Sequence, residues 1–176
     1  AVAIHPEQST VFPIACEAIV QQDGNTKNDC ELNAAKRLIP KVREMLPDES
    51  IIAIFDALYP NGFHIKELQK KDMSYIIGIK GQKYVNIQVK RQRELGTLQN
   101  FTWQKDNLTC TAYFTNGLVL NGSHLDIKTN YFEYTEVDND TGEQVFYSTW
   151  ITDIPINEGN IQELVAVARA RWKIEN

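Results

Sequence analysis

Asp56 stands where a carboxylate could do chemistry, because it directly follows the apolar run IIAIF at residues 51–55. Such a continuous run is typical of a strand that is buried on both faces. In open α/β sheets, catalytic and ligand-binding groups gather at the carboxyl ends of strands, so this position favours a functional carboxylate. The competing interpretation is an aspartate that only shapes the turn in ALYPNG, which comes next.

Glu175 is the second candidate and lies on the last predicted helix, four residues after Arg171 and three after Trp172. This spacing puts the three side chains on one side of a helix, in line with its apolar stripe. A carboxylate there favours an inward position, with its charge neutralised by a partner or a metal ion. An ordinary helical ion pair between Arg171 and Glu175 explains the same spacing, and both interpretations stay open.

The segments around Asp56 alternate between helix and strand. A helix is predicted from an N-cap at Asn28 to a stop at Pro47, followed by the strand at residues 51–55. A short helix at residues 61–71 and a buried strand at residues 74–80 come next. The inward positions of that short helix are predicted to be Phe63, Ile65 and Leu68. The alternation argues for an α/β layer with neighbouring parallel strands.

Residues 84–150 change in character and consist of short aromatic or β-branched runs, which begin with KYVNIQVK. Turn signals separate these runs at Asn116-Gly117, Asn121-Gly122 and Asp140-Thr141-Gly142. The pattern predicts an antiparallel meander of strands with no helix in it. A final helix is predicted from Asn160, with Ile161, Leu164, Ala168 and Trp172 on one face.

The composition favours a reduced, cytoplasmic protein, because the three cysteines are far apart and no secretory signal is visible. No apolar run is long enough to predict a membrane span. The net charge of -5 argues against a partner rich in phosphate. The basic residues are uneven, however, and five of them fall close together: Lys80, Lys83, Lys90, Arg91 and Arg93. The three histidines, His5, His64 and His124, show no metal-ligand spacing.

Four stretches resemble IS4-type transposases of the DDE superfamily. They are QDGNTKNDCELNAAKR (residues 22–37), IIAIFDALYPNG (51–62), SYIIGIK (74–80) and ITDIPINEGNIQELVAVARARWKIEN (151–176). The last stretch is the most specific of the four. It combines a strand that ends in a Thr-Asp pair, a short polar loop and a helix that carries R-x-R-W-x-I-E-N.

The resemblance implies an α/β fold, with an RNase H-like mixed sheet flanked by helices and an inserted β-rich subdomain. Asp56 and Glu175 match the family's second and third catalytic acids, which are also its metal ligands. Arg171 matches the arginine of the family's helix motif and would bind DNA. Lys80, at the end of the strand beside Asp56, is expected to reach the DNA backbone. Ala168 departs from the motif, because it stands where the family has a tyrosine.

The implied function is metal-dependent cleavage and transfer of DNA strands, with two Mg²⁺ or Mn²⁺ ions in the complete domain. The implied partners are transposon ends and target DNA, bound by a homodimer. A function of another class stays open, namely a catalytically inactive β-rich module that binds DNA or protein. The acidic balance and the strands of residues 84–150 favour that alternative.

The family's first catalytic acid is expected upstream of Ala1, because residues 10–16 resemble the third strand of the core. Asp23 and Asp29 are weak substitutes, since loops and helix starts often carry aspartate for capping. The chain is therefore interpreted as a fragment that lacks both ends and is inactive alone. The predicted division has three parts. They are residues 1–82 as the first part of the core, 83–150 as the β-rich insertion, and 151–176 as the return strand and the helix with the last acid.

Overall fold

The computed structural model describes residues 1–20 and 26–174 of the chain. The elements in chain order are β1 (Val2–Ile4), β2 (Val11–Pro13), α1 (Lys27–Met45), β3 (Ile52–Phe55), α2 (Gly62–Lys70), β4 (Ser74–Gly78), α3 (Lys83–Glu94), β5 (Gln99–Lys105), β6 (Leu108–Asn121), β7 (His124–Asp138), β8 (Gln144–Thr152) and α4 (Ile161–Ala170). A 3₁₀-helix, Arg171–Ile174, continues from α4. Within these described ranges, no helix has the length and apolar character needed to cross a membrane.

A mixed sheet organises the molecule, with strand order β3-β4-β8-β7-β6-β5. β3 and β4 are parallel, and every later neighbouring pair is antiparallel. Helices pack on both faces of this sheet. The predicted α/β class is therefore confirmed, and the arrangement is consistent with an RNase H-like fold. β1 and β2 pair with each other in a separate two-stranded sheet.

Successive side chains of β4 point to alternate faces of the sheet, and each face carries its own hydrophobic cluster. Tyr75 and Ile77 point to the face that α1, α2 and α3 cover, whereas Ile76 points to the face that α4 covers. All three side chains are fully buried. Because successive side chains of a strand point to opposite faces, a run of apolar residues can fill both clusters. The prediction of a buried strand at residues 74–80 is thus confirmed for β4.

β3 is the outermost strand of this sheet, and its outer edge pairs with no strand in the described ranges. Ile52 is exposed and residues 53–55 are only half-buried, so the prediction of burial on both faces is wrong for this strand. The reason is the open edge, which faces a cavity of about 1260 Å³. Helix α1 borders that cavity from one face of the sheet, and α4 borders it from the other.

Helix α3 occupies the start of the segment that was predicted to contain only strands. Val85 and Val89 suggested a strand, but they lie four residues apart and are buried on one side of the helix. Most of the remaining positions carry Lys, Arg, Gln or Glu, which favour a helix. Gly96, with a φ of +66°, allows the chain to leave the helix in the left-handed region. Beyond it, the predicted antiparallel meander is confirmed as β5–β8.

Asn116-Gly117 is a bulge inside β6 and not the turn that was predicted. The register with β7 shifts between Thr115 and Leu118, where Gly117 adopts a φ of +76°. The bulge also exchanges the two faces of the strand. Ala112 and Phe114 before it join the α4 cluster, whereas Leu118 and Leu120 after it join the opposite cluster. The other two predicted turns are confirmed between β6 and β7 and between β7 and β8.

Smaller predictions at the ends of elements are also corrected. The strand that was predicted at residues 10–16 is confirmed as β2, Val11–Pro13. It pairs with β1 and not with the main sheet. Helix α1 begins at Lys27, which places Asn28 inside the helix instead of at its N-cap.

Two aromatic residues that were predicted to be inward are exposed at 49% each, namely Phe63 and Trp172. Phe63 lies under the Lys36 ammonium, 4.3 Å from the ring centroid, which keeps it at the surface. Trp172 follows the change from α-helix to 3₁₀-helix, which rotates it away from the buried stripe. The other predicted inward residues of α2 and α4 are buried, namely Ile65, Leu68, Ile161, Leu164 and Ala168.

Candidate active site at the carboxyl ends of β3 and β4

Asp56 comes directly after β3, and its side chain is exposed. Its Oδ1 accepts a hydrogen bond of 3.0 Å from the backbone N–H of Leu58, and its carbonyl accepts one of 3.3 Å from Tyr59. The aspartate therefore does shape the turn, as the simpler interpretation required. Its Oδ2 has no hydrogen-bond partner among residues 1–20 and 26–174. A carboxylate in this state can hold the turn and still bind a cation.

Gly78 brings the end of β4 directly against Asp56. A Cβ atom at residue 78 would lie 3.5 Å from the backbone nitrogen of Ala57 and 3.8 Å from the Cα of Asp56. Two residues later the exposed Lys80 follows, so the parallel pairing brings Asp56 and Lys80 to the same end of the sheet. No ion pair joins these two side chains in the part of the chain that the structure describes. Sequence reasoning had not singled out Gly78.

Two acidic side chains, Asp56 and Glu31, lie close enough to the turn after β3 to affect the pKa of Tyr59. Burial raises the pKa of Tyr59, and the negative charges of Asp56 and Glu31 raise it further. The Tyr59 ring also packs on Phe55, with the ring centroids 4.9 Å apart. Glu31 belongs to α1. Two acidic side chains thus act on one turn, an arrangement that attracts cations.

His64 is a further polar group beside this turn that sequence reasoning set aside. The backbone N–H of His64 donates to the Oδ1 of Asn61, which caps α2, and its ring lies 5.3 Å from that of Tyr59. Burial lowers the pKa of His64 from 6.5 to about 4, and its buried Nε2 has no hydrogen-bond partner in the described ranges. The imidazole is therefore neutral near neutral pH.

Helix α4 is tied to the sheet by an ion pair and by its apolar stripe. Arg169 bonds the buried carboxylate of Glu136 on β7, which also accepts a 2.7 Å hydrogen bond from the Tyr134 hydroxyl. The Arg169 guanidinium lies 4.4 Å from the centroid of the Phe146 ring. These contacts fix the helix that leads into the R-x-R-W-x-I-E-N segment.

Arg171 lines the cavity at the open edge of β3, together with Phe55, the residue before Asp56. Next to it, the Lys173 ammonium donates to the carbonyls of His5, Pro6 and Gln8 at 2.9, 2.7 and 2.6 Å. The 3₁₀-helix after α4 is therefore tied to the segment between β1 and β2, and its Arg171 borders the same cavity as β3. Glu175 and Asp23 lie outside the described residues, and so does the side chain of Asp29.

The residues that the structure describes supply a single candidate metal ligand and not a complete metal centre. No group of three or more His, Cys, Asp or Glu side chains is arranged to hold a metal ion within these ranges. Asp56 fits a hard divalent cation, because it offers an exposed carboxylate oxygen at a rigid strand end. Any further ligands must come from other residues.

Comparison with known proteins assigns the family. The family model of the transposase DDE domain matches residues 15–176, nearly the whole chain. Domains of this family generally use divalent metal ions, and their partner is DNA. No curated protein sequence matches this chain. The match includes β3 with Asp56 and extends through α4. The chain therefore belongs to the transposase DDE domain family.

Proposed function

We propose that this chain is the catalytic part of an IS4-type transposase, which cuts DNA strands and transfers them. One observation carries the proposal, namely the exposed carboxylate of Asp56 at the carboxyl end of a parallel strand, inside the family match. The proposed catalytic acids are Asp56 and Glu175, which would also be the metal ligands. Glu175 follows the 3₁₀-helix whose Arg171 lines the same cavity as Phe55.

Asp56 and Glu175 would hold Mg²⁺ or Mn²⁺, with two ions in the complete domain, because oxygen-rich sites suit these ions. Two divalent ions, when bound, activate a water molecule and stabilise the leaving oxygen of a phosphodiester. No side chain has to act as the nucleophile. Water cleaves the DNA strand, and the freed 3′-hydroxyl then attacks a phosphodiester of the target DNA. The role of Asp56 is to present Oδ2 from a fixed position, which the bond between Oδ1 and Leu58 maintains.

Arg171 and Lys80 are proposed to bind the DNA backbone. Lys80 is exposed at the end of the sheet where Asp56 lies, and Arg171 lines the cavity beside β3. Both positions suit contacts with phosphates, which position DNA without selecting its sequence. A homodimer on two DNA ends is part of the same proposal.

We further propose that the first catalytic aspartate lies upstream of Ala1, on a strand that pairs with the open edge of β3. The unpaired edge of β3 supports this, and so does the cavity of about 1260 Å³ between α1 and α4. The space lies between helices on the two faces of the sheet and is also lined by residues 1–7, so that a further strand beside β3 would lie against this segment. The division into residues 1–82, 83–150 and 151–176 also remains our proposal.

Strand cleavage by the full-length protein tests the two acids. We expect Asp56→Asn and Glu175→Gln each to reduce the cleavage rate by at least about a thousandfold, because each removes a charge that holds a divalent ion. DNA affinity should stay within about threefold, because phosphate contacts come from basic residues. The assay uses a labelled duplex with a transposon end, in the presence of Mg²⁺ or Mn²⁺.

Asp48→Asn and Glu158→Gln are the matched controls, because each removes one exposed carboxylate elsewhere on the molecule. Both controls should cleave at the unaltered rate. If the unaltered protein binds the duplex but never cleaves it, the inactive binding module is the correct function. If it cleaves and Asp56→Asn cleaves equally well, the assignment of Asp56 is wrong.

A further inference from the structure

Residues 80–94 contain five basic residues and one acidic residue, Glu94, in a chain whose net charge is -5. We refer to the five as the basic surface; they are Lys80, Lys83, Lys90, Arg91 and Arg93. Lys80 follows β4, and the other four lie on α3. Positive charge is therefore concentrated in one short segment of an otherwise acidic protein.

The orientation of α3 turns its basic residues outward. Val85 and Val89 are buried against the sheet, whereas Lys83, Lys90 and Arg91 are exposed. The spacings of seven and eight residues from Lys83 place these three cations on one face of the helix.

The amide of Gln88 fixes this orientation, because it bonds both backbone groups of Val119 on β6. Nε2 of Gln88 donates to the Val119 carbonyl at 2.8 Å, and Oε1 accepts from the Val119 N–H at 3.1 Å. The basic face is thus presented by a helix that is held against the sheet.

Most of these cations are not neutralised. Lys80, Lys83 and Arg91 form no ion pair with any residue in the ranges 1–20 and 26–174. Lys90 lies 3.9 Å from Glu94, but both side chains are well exposed, and such a pair contributes little. Arg93 differs, because it lies 2.5 Å from the nearly buried carboxylate of Glu133. The basic surface therefore keeps a net positive charge.

A cavity of about 450 Å³ joins α3 to the catalytic end of the sheet. Lys80, Lys90 and Arg93 line it, together with the polar side chains of Asn86 and Thr149. It lies where β4 ends, because Ile79, Lys80 and Gly81, which follow that strand, also line it. The basic surface thus begins at the same end of the sheet as Asp56 and extends away along α3.

We propose that the basic surface binds the phosphate backbone of duplex DNA beside the catalytic acids, without reading its sequence. This inference rests on the proposed function. A helix of 12 residues is about 18 Å long, and a duplex presents about ten phosphates over that length. Cations spread along an exposed helix suit such an extended polyanion better than a small anion, which would need a closed pocket.

The double variant Lys83→Gln/Arg91→Gln tests this surface in the full-length protein. We expect it to bind a labelled random-sequence duplex about five- to tenfold more weakly. The slope of log affinity against log salt concentration should fall by about 0.9 for each phosphate contact that is lost. Fluorescence anisotropy without divalent ions measures both quantities, so binding is read independently of cleavage.

Lys70→Gln/Lys105→Gln is the matched control, because it removes the same charge from two exposed positions away from α3. This control should keep the affinity and the salt slope of the unaltered protein. Equal affinity and slope in the α3 variant would overturn the proposal. A loss confined to transposon-end sequences would also overturn it, as would an unchanged affinity with an altered oligomeric state, which would indicate a protein interface. Failure of the proposed function has a different signature, namely an unaltered protein that never cleaves DNA.

Discussion

Asp56 can hold a turn and bind a cation together, because the turn uses only one of its two carboxylate oxygens. One oxygen accepts the N–H of Leu58, and the other oxygen of this exposed side chain has no hydrogen-bond partner among the described residues. The two interpretations of this residue in the sequence, turn former and functional acid, are therefore compatible. The sequence predicted the strand end correctly, since an apolar run followed by a polar turn marks it. It could not predict Glu31 beside the same turn, because tertiary packing brings α1 there.

His64 gives the protein a pH-dependent stability that can be measured. Its pKa is lowered from 6.5 to about 4 in the folded state, mainly by burial. Between these two values the unfolded chain binds more protons than the folded chain, so the free energy of unfolding falls as the pH drops. The contribution of His64 is complete above about pH 6.5 and is lost progressively towards about pH 4.

Urea denaturation at a series of pH values checks this prediction, with His64→Gln compared with the unaltered protein. Between about pH 6.5 and 4, the free energy of unfolding should fall less in the variant than in the unaltered protein. His5→Gln is the control, because His5 is exposed and should leave the decline unchanged. Equal pH profiles for all three proteins would contradict the role of His64.

Among the helices and strands, sequence patterns that involve only a few consecutive residues predicted most of the fold. The apolar runs predicted β3 and β4. The Asn-Gly and Asp-Thr-Gly signals predicted the turns between β6 and β7 and between β7 and β8. Helix α3 was missed because a short segment with Val85 and Val89 fits either a strand or a helix. The exposure of Trp172 was missed because the change to a 3₁₀-helix leaves no signal in the spacing of apolar residues.

The ion pair between Arg169 and Glu136 decides how firmly α4 is held. Arg169→Met would leave the nearly buried carboxylate of Glu136 without its cation, so we expect the free energy of unfolding to fall by about 2–4 kcal/mol. Chemical denaturation measures this loss. The double variant Arg169→Met/Glu136→Met should recover most of it, because two apolar side chains can replace an ion pair. A double variant that is less stable than the single one would contradict this account.

In the molecule taken as a whole, the open edge of β3 is where we propose that a further strand with the first catalytic acid pairs. The described residues provide Asp56 on the outermost strand of the sheet and a large cavity beside it. The sequence motifs predicted acids at residues 56 and 175 and a first acid upstream of Ala1, and this last position stays a prediction. Local patterns could not show that β3 is an edge strand, because pairing is a property of the whole sheet.

On the proposal that the first catalytic acid lies upstream of Ala1, residues 1–176 alone should show no strand cleavage under conditions in which a chain extended at both ends is active. The physical reason is the number of carboxylates, since two acids hold two divalent ions less well than three do. Gel assays with Mg²⁺ or Mn²⁺ compare the two proteins at equal concentration. Cleavage by residues 1–176 would mean that the first catalytic acid lies within them.

The bulge at Gly117 places a constraint on how this gene can change. Deleting the codon of residue 117 would remove the offset in β6, so that Leu118 and Leu120 would leave the cluster that α1, α2 and α3 cover and point to the opposite face of the sheet. A codon lost at the tip of the β7–β8 hairpin would only shorten a surface loop. We therefore expect natural variants of this domain to gain and lose residues at hairpin tips, while the spacing across the bulge stays fixed.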